Sequence, residues 1–141
     1  MASVGALNRF MELGAETLFP TPDNVYQVCW YRFGYDQVMF VRGKLPAARY
    51  FSFVLCNLWM ESLDYTRHRI VLNHGAIETD GEGNFEIVLA HRDPGHPNWM
   101  DTAGHHAGYL IARSLLPEGA APALTVQVMY EKEWEAIKST R

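Results

Sequence analysis

Short runs rich in β-branched and aromatic residues follow one another from Val25 to Tyr130, and no amphipathic helix separates any two of them. Their spacing, roughly 8–12 residues, is the rhythm of an all-β sandwich or barrel. A parallel pair needs a crossover of a dozen or more residues, normally a helix. These strands are therefore expected to pair antiparallel. Runs 25–31 and 37–42 flank Gly34-Tyr35-Asp36 and read as the two arms of a hairpin. Run 49–56, RYFSFVLC, is apolar on both faces after Arg49, as a central strand should be. Runs 69–72 and 76–79 are short, and Asp80-Gly81-Glu82-Gly83 signals a tight turn before run 84–90. Runs 109–116 and 124–130 close the series.

Helix signals are confined to the ends. Ser3 can cap a helix reaching Thr17, with Val4, Leu7, Phe10, Met11 and Leu18 near one face. Gly5 and Gly14 weaken it, and the FPTPDN segment at 19–24 ends it. At the other end EKEWEAIK reads as a short charged helix or a frayed tail, with Trp134 and Ile137 docked. The expected organisation is a single domain, 1–141: a helix over 3–18, strands over 24–130 and a charged tail over 131–141. A chain of 141 residues can bury roughly 70% of its unfolded surface, so it needs neither disulfides nor a metal to fold.

Charge and hydropathy narrow the function. A formal net charge of -4 argues against non-specific nucleic-acid binding, which needs a basic patch. No apolar stretch approaches the ~20 residues of a membrane span, so no membrane partner is expected. MASVGALNRFMELG lacks the basic region and continuous apolar core of a signal peptide. Cys29 and Cys56 sit in apolar runs and are expected as buried free thiols of a cytoplasmic protein.

The segment 91–108, HRDPGHPNWMDTAGHHAG, carries His91, His96, His105 and His106 between two strand-like runs. It reads as a long loop, and ordered loops of this length commonly carry function. A metal site is not expected. Imidazole and carboxylate ligands are present, but neither HExxH nor the HxH-plus-Glu arrangement of cupins occurs. His105 or His106 with Asp101 could form a general base oriented by a carboxylate. No GxSxG elbow, glycine-rich phosphate loop, CxxC pair or EF-hand loop is present, so no cofactor is expected. Asn98 is suited to tying loop backbone, and Trp99 to plugging the core beneath the loop or stacking on a ligand. Arg113 lies among Ile111, Ala112 and Leu115. If buried, it must pair with a carboxylate or bind an anion.

The run ARYFSFVLCNLWMESLDYTRHRIVLN, the turn DGEGNFEIVLAHRDPG and the string PNWMDTAGHHAGYLIARSLLPE resemble the bacterial domain of unknown function family 1214. PDNVYQVCWYRFGYDQVMFVRG fits the same pattern, so the likeness covers about 23–118. The most specific part is Asn98-Trp99 with Asp101-Thr102-Ala103-Gly104-His105. The resemblance implies a jelly-roll-like β-sandwich, commonly one part of a longer chain with an upstream domain. It implies no established reaction. It carries Asn98, Trp99, Asp101, Thr102, His105 and Arg113 as matching positions, with His106 at a more variable one.

Three functions remain open from the sequence. The first is a small-molecule ligand-binding or catalytic domain of bacterial metabolism, its site near 91–108. Its candidate catalytic residues are His105 and Asp101, and its candidate ligand contacts are Trp99, Asn98, Thr102, Arg113 and His106. The second is a non-catalytic module that forms homo-oligomers or packs on a partner domain. The third is a carbohydrate-binding sandwich that exposes aromatics on a sheet face, with Trp30, Trp59 and Tyr50 as candidates.

Overall fold

A computed structural model describes residues 7–13, 24–115, 119 and 121–140. Among them are nine strands and one helix: β1 (Phe10–Leu13), β2 (Asn24–Arg32), β3 (Gln37–Lys44), β4 (Tyr50–Cys56), β5 (Val71–Asn73), β6 (Asn84–Ala90), β7 (Trp99–Asp101), β8 (Ala107–Leu115), β9 (Thr125–Tyr130) and α1 (Glu131–Ser139). The chain is mainly β. A five-stranded sheet has the order β1-β2-β8-β4-β5, and a four-stranded sheet the order β7-β6-β3-β9. Every ladder is antiparallel except that of β6 with β7. No helix among the described residues is long and apolar enough to cross a membrane.

The two-residue period of the strands decides what goes inside. Cys29, Tyr31, Phe51, Phe53, Leu55, Leu72, Leu110 and Ala112 come from the five-stranded sheet. They meet Met39, Val41, Phe85, Ile87, Leu89 and Met100 of the other sheet in one buried cluster. Each fully buried side chain of this kind contributes about 1.5–3 kcal/mol. β4 lies between β8 and β5, as a run apolar on both faces should. Its Val54 and Cys56 point away from this core and pack with Val28, Trp30, Tyr109 and Ile111. Met11, Val28, Ile111, Val54 and Val71 are register neighbours and form one apolar row across all five strands. On the far side of the four-stranded sheet, Trp134 of α1 covers Val38, Phe40, Val88, Ala90 and Met129. The expected tail helix is thus docked through Trp134, while Ile137 stays exposed.

Four local expectations are corrected. Phe10–Leu13 is not helical but a strand on the edge of β2. Residues 7–9 are not helical either, with Leu7 bridging to Trp30, and the rest of the expected helix, 3–6 and 14–18, lies outside the described residues. Asn8 adopts a φ of 52°, and its amide donates to Arg32 O at 3.0 Å while accepting from Arg32 N at 2.8 Å. The open backbone edge of β2 gains a ladder this way. That outweighs a helical preference already weakened by two glycines.

The second correction concerns β2 and β3, which are not hairpin partners. The turn exists, with Gln37 N donating to Gly34 O at 3.1 Å, but it sends the chain into the opposite sheet. Both edges of β2 are taken by β1 and β8, and both edges of β3 by β6 and β9. Third, residues 76–79 form no strand beyond a single bridge from Thr79 to Phe85. Fourth, the 91–108 segment is not all loop. Trp99–Asp101 pairs parallel with Val88–Ala90 without a helical crossover. Parallel pairing is possible here because only three residues pair, so a short return suffices.

Candidate functional site

The turn after β2, the β4–β5 connection and the segments flanking β7 meet at one end of the sheets. Phe33 N donates to His106 O at 3.0 Å, and the Tyr35 hydroxyl donates to Gly104 O at 3.1 Å. Asp101 N donates to Arg69 O at 2.9 Å. β7 leads into a tight turn in which His105 N donates to Thr102 O at 2.9 Å. Ala103 and Gly104 take positive φ angles of 52° and 80° there. Asp101 Oδ1 accepts from Ala103 N at 2.8 Å, which holds the turn's first half.

The expected site residues do not converge. Asp101 pairs with neither His105 nor His106. Its Oδ2 lies 2.7 Å from Nδ1 of His68, which sequence reading did not single out. A carboxylate there holds a proton on Nδ1. Thr102 is fully buried, and its hydroxyl meets Nδ1 of His91 at 2.5 Å. His91 stacks on Phe33 with centroids 4.5 Å apart. Burial holds its pKa below the ordinary value of 6.5.

Asn98 is buried and its side chain is fully engaged. It accepts from Glu78 N at 2.8 Å, and donates to Glu78 O at 2.8 Å and to Glu86 O at 3.0 Å. It clamps backbone, as a loop asparagine can, and has no donor left for a ligand. Trp99 is half-buried against the cluster under α1, its indole N–H bonded to Ala90 O at 3.1 Å. Arg113 is on β8 and donates from Nε to Asn24 Oδ1 at 2.7 Å. It neighbours Tyr26 and Ser52. At about 3.3 Å per strand residue it stands roughly 20 Å along β8 from the His105 turn.

His105 and His106 are the expected residues that reach solvent at this end. They line a cleft of about 430 Å³ with Asn57, Leu58, Trp59, Gly104 and Ala107. Among the described residues the His105 ring has no hydrogen-bond partner, whereas His106 Nδ1 lies 3.4 Å from the Tyr35 hydroxyl. Gly108 allows the close packing beneath this cleft. A Cβ there would meet the Cys56 carbonyl at 2.4 Å and the Tyr31 hydroxyl at 2.9 Å. A second cleft of about 400 Å³ is lined by Tyr35, Asp36, His91, Arg92 and Gly104. Trp59 caps the far wall of the first cleft on a tip where Asn57 Oδ1 accepts from Trp59 N at 2.9 Å and Glu61 N at 3.1 Å. Of the expected sheet-face aromatics, Trp30 is half-buried on the outer face, and Tyr50 packs edge-on against His74.

Away from the clefts, Glu86 joins Arg42 at 2.8 Å and His96 at 3.2 Å. Burial pushes the Glu86 carboxyl up, but hydrogen bonds and charge from Arg42 and His96 outweigh it and hold the group below its ordinary range. Among the described residues no three His, Cys, Asp or Glu side chains converge as a metal set would require. Sequence spacing could not reveal His68, which lies 33 positions from Asp101. Tyr35 was visible only as a turn residue.

No family model matches this chain, and no curated protein is significantly similar to it. Solved structures share its fold, two of them as follows. One is an uncharacterized protein from Burkholderia cenocepacia, with a TM-score of 0.83 and 23% identity over 90% of this chain and 36% of that one. The other is the VPA0106 protein from Vibrio parahaemolyticus, with a TM-score of 0.61 and 15% identity over 77% of this chain and 31% of that one. The chain spans about a third of the length of each solved neighbour.

Proposed function

We propose that this chain is a small-molecule-binding domain whose site is the cleft between the Trp59 tip and the Gly104–Ala107 turn. The observation that carries this is the pairing of an exposed indole with the His105 imidazole, unpartnered among the described residues, in a cleft of ligand size. A neutral imidazole offers one donor and one acceptor, which can fix a polar group while Trp59 covers an apolar one. Any proton transfer at this site falls to His105 or His106 without help from Asp101, which is committed to His68. The alternation of β2, β3 and β4 between sheets supports a jelly-roll-like sandwich. The Asn98-to-His105 string supports kinship with family 1214.

The test is an NMR screen of neutral fragments that follows the Trp59 indole and His105 ring signals. Hits should shift both, lose affinity in His105→Ala, and keep it in Arg113→Ala. Hits lost equally in Arg113→Ala would move the site away from this end.

A second reading, an oligomerisation module, rests on the exposed ends of the apolar row, Met11 and Val71, since Val28 in its middle is fully buried and Ile111 and Val54 are partly buried. Met11 and Val71 at its two ends are 44% and 41% exposed. Sedimentation velocity decides it: a monomer at all concentrations retires this reading, and a dimer abolished by Val71→Lys supports it.

A further inference from the structure

We propose that the ligand is a neutral oligosaccharide that lies across both clefts, with one sugar ring on Trp59 and another on Tyr35. The proposal rests on the cleft reading above and names its substrate class. The two clefts adjoin at Gly104, which lines both. Together they offer a track with room for more than one small ring. An aromatic ring stands on each side of the turn. Trp59 is 69% exposed and Tyr35 is 59% exposed.

Both rings stand on fixed backbone, and Tyr35 is held by contacts of its own ring and hydroxyl as well. Tyr35 is held by its hydrogen bond to Gly104 O and packs against the rings of His91 at 4.9 Å and His106 at 5.5 Å. Trp59 rides on a tip fixed by the Asn57 side chain and by Met60 at a φ of 64°. Held aromatic faces left in water suit a partner with one apolar face and one wet edge. A pyranose ring is such a partner: its C–H face stacks on an aromatic ring, and its hydroxyls stay at the rim.

The charges select further. Among the described residues, no Lys, Arg, Asp or Glu lines the Trp59 cleft. The Tyr35 cleft contains Asp36 and Arg92, and the Arg92 guanidinium is bonded to Glu131. Among the described residues, phosphate or carboxylate chains would find no free cation on the track, in line with the net charge of -4. Sugar hydroxyls both donate and accept. The imidazoles between the rings can answer both needs, since a neutral ring such as His105 carries one donor and one acceptor and His106 keeps its Nε2.

The experiment titrates the labelled protein with neutral hexaoses (cello-, xylo-, manno- and chitohexaose), their monosaccharides, and hexagalacturonate. It follows the Trp59 indole and the His105 and His106 ring signals. At least one neutral hexaose should shift all three and saturate, binding at least about tenfold tighter than its monosaccharide. Trp59→Ala and Tyr35→Ala should each weaken binding by up to roughly tenfold, the scale of one aromatic contact, with the backbone spectrum otherwise intact. The proposal is overturned if no neutral hexaose shifts these signals, if monosaccharide and hexaose bind alike, or if hexagalacturonate binds best. A neutral fragment library run alongside separates the two levels. Fragment hits at Trp59 and His105 without a hexaose response remove the sugar and keep the cleft. Silence from both removes the cleft as well.

Discussion

Asn98→Ala tests the packing logic of the 91–101 segment most directly. The wild-type amide bonds to both backbone groups of Glu78 as a neighbouring strand would, and also to the carbonyl of Glu86. Truncation deletes three hydrogen bonds, each contributing about 0.5–1.5 kcal/mol net. Glu78 is exposed, so water can reach its freed groups. Glu86 is half-buried, and its carbonyl loses a partner in a drier place. The expected loss is about 3 kcal/mol, or roughly 10 °C in Tm for a chain of this size. Urea titration followed by circular dichroism should show a lower midpoint at unchanged slope.

Asn98→Asp sharpens the test because it keeps the shape and turns two donors into acceptors that face the two carbonyls. At neutral pH it should be less stable than Asn98→Ala. The gap should narrow as pH falls, because a protonated carboxyl recovers one donor and the folded state takes up that proton. An Asn98→Ala variant within about 1 kcal/mol of wild type would refute the clamp. So would an Asn98→Asp variant no worse than Asn98→Ala at neutral pH.

Gly108→Ala should be among the most damaging small changes, since its Cβ would sit 2.4 Å from the Cys56 carbonyl; thermal unfolding should fall sharply or soluble protein should be lost. Trp99→Ala should cost about 3 kcal/mol, the low end for a large aromatic because the ring is only half-buried, as read by denaturant unfolding. The folded-state pKa of His91 is depressed, so its contribution is full above the ordinary 6.5 and is lost as pH falls towards the folded value. Glu86, also depressed, adds a loss at lower pH, from the ordinary carboxylate range downward. His91→Gln should flatten the first slope and Glu86→Gln the second in stability–pH profiles. Burial pushes Cys29 up to about 12 and Cys56 up to about 11, so a thiol reagent at neutral pH should label neither until the chain is unfolded.

The strands were legible because their residues carry a two-residue period that needs no distant partner to be seen. Run 49–56 announced an interior strand by being apolar on both faces, and Tyr50–Cys56 is one. Partner choice was not legible. Nothing in runs 25–31 and 37–42 says that each has two better partners far along the chain than the one next to it. Phe10–Leu13 shows the same limit, since its helical spacing is real but the open edge of β2 is stronger. Trp99–Asp101 is too short to carry a period at all. At the candidate site, the roles of Asn98 and Trp99 as fixtures could be read from residue type. The pairing of Asp101 with His68 could not, because side chains brought together by a fold leave no mark on spacing.

β8 lies between β2 and β4 in the middle of the five-stranded sheet, yet it is the eighth strand in chain order. A ribosome therefore releases β2 and β4 long before the segment that joins them exists. Until residue 115 has emerged, each presents an open backbone edge beside large apolar side chains, the condition that favours wrong pairing and aggregation. Folding must wait for a contact separated by most of the chain, which places this protein among slow folders. Its yield in a cell then depends on how long the nascent chain is shielded, and a stalled or shortened transcript ending before Ala107 would be a substrate for proteolysis rather than a smaller working domain.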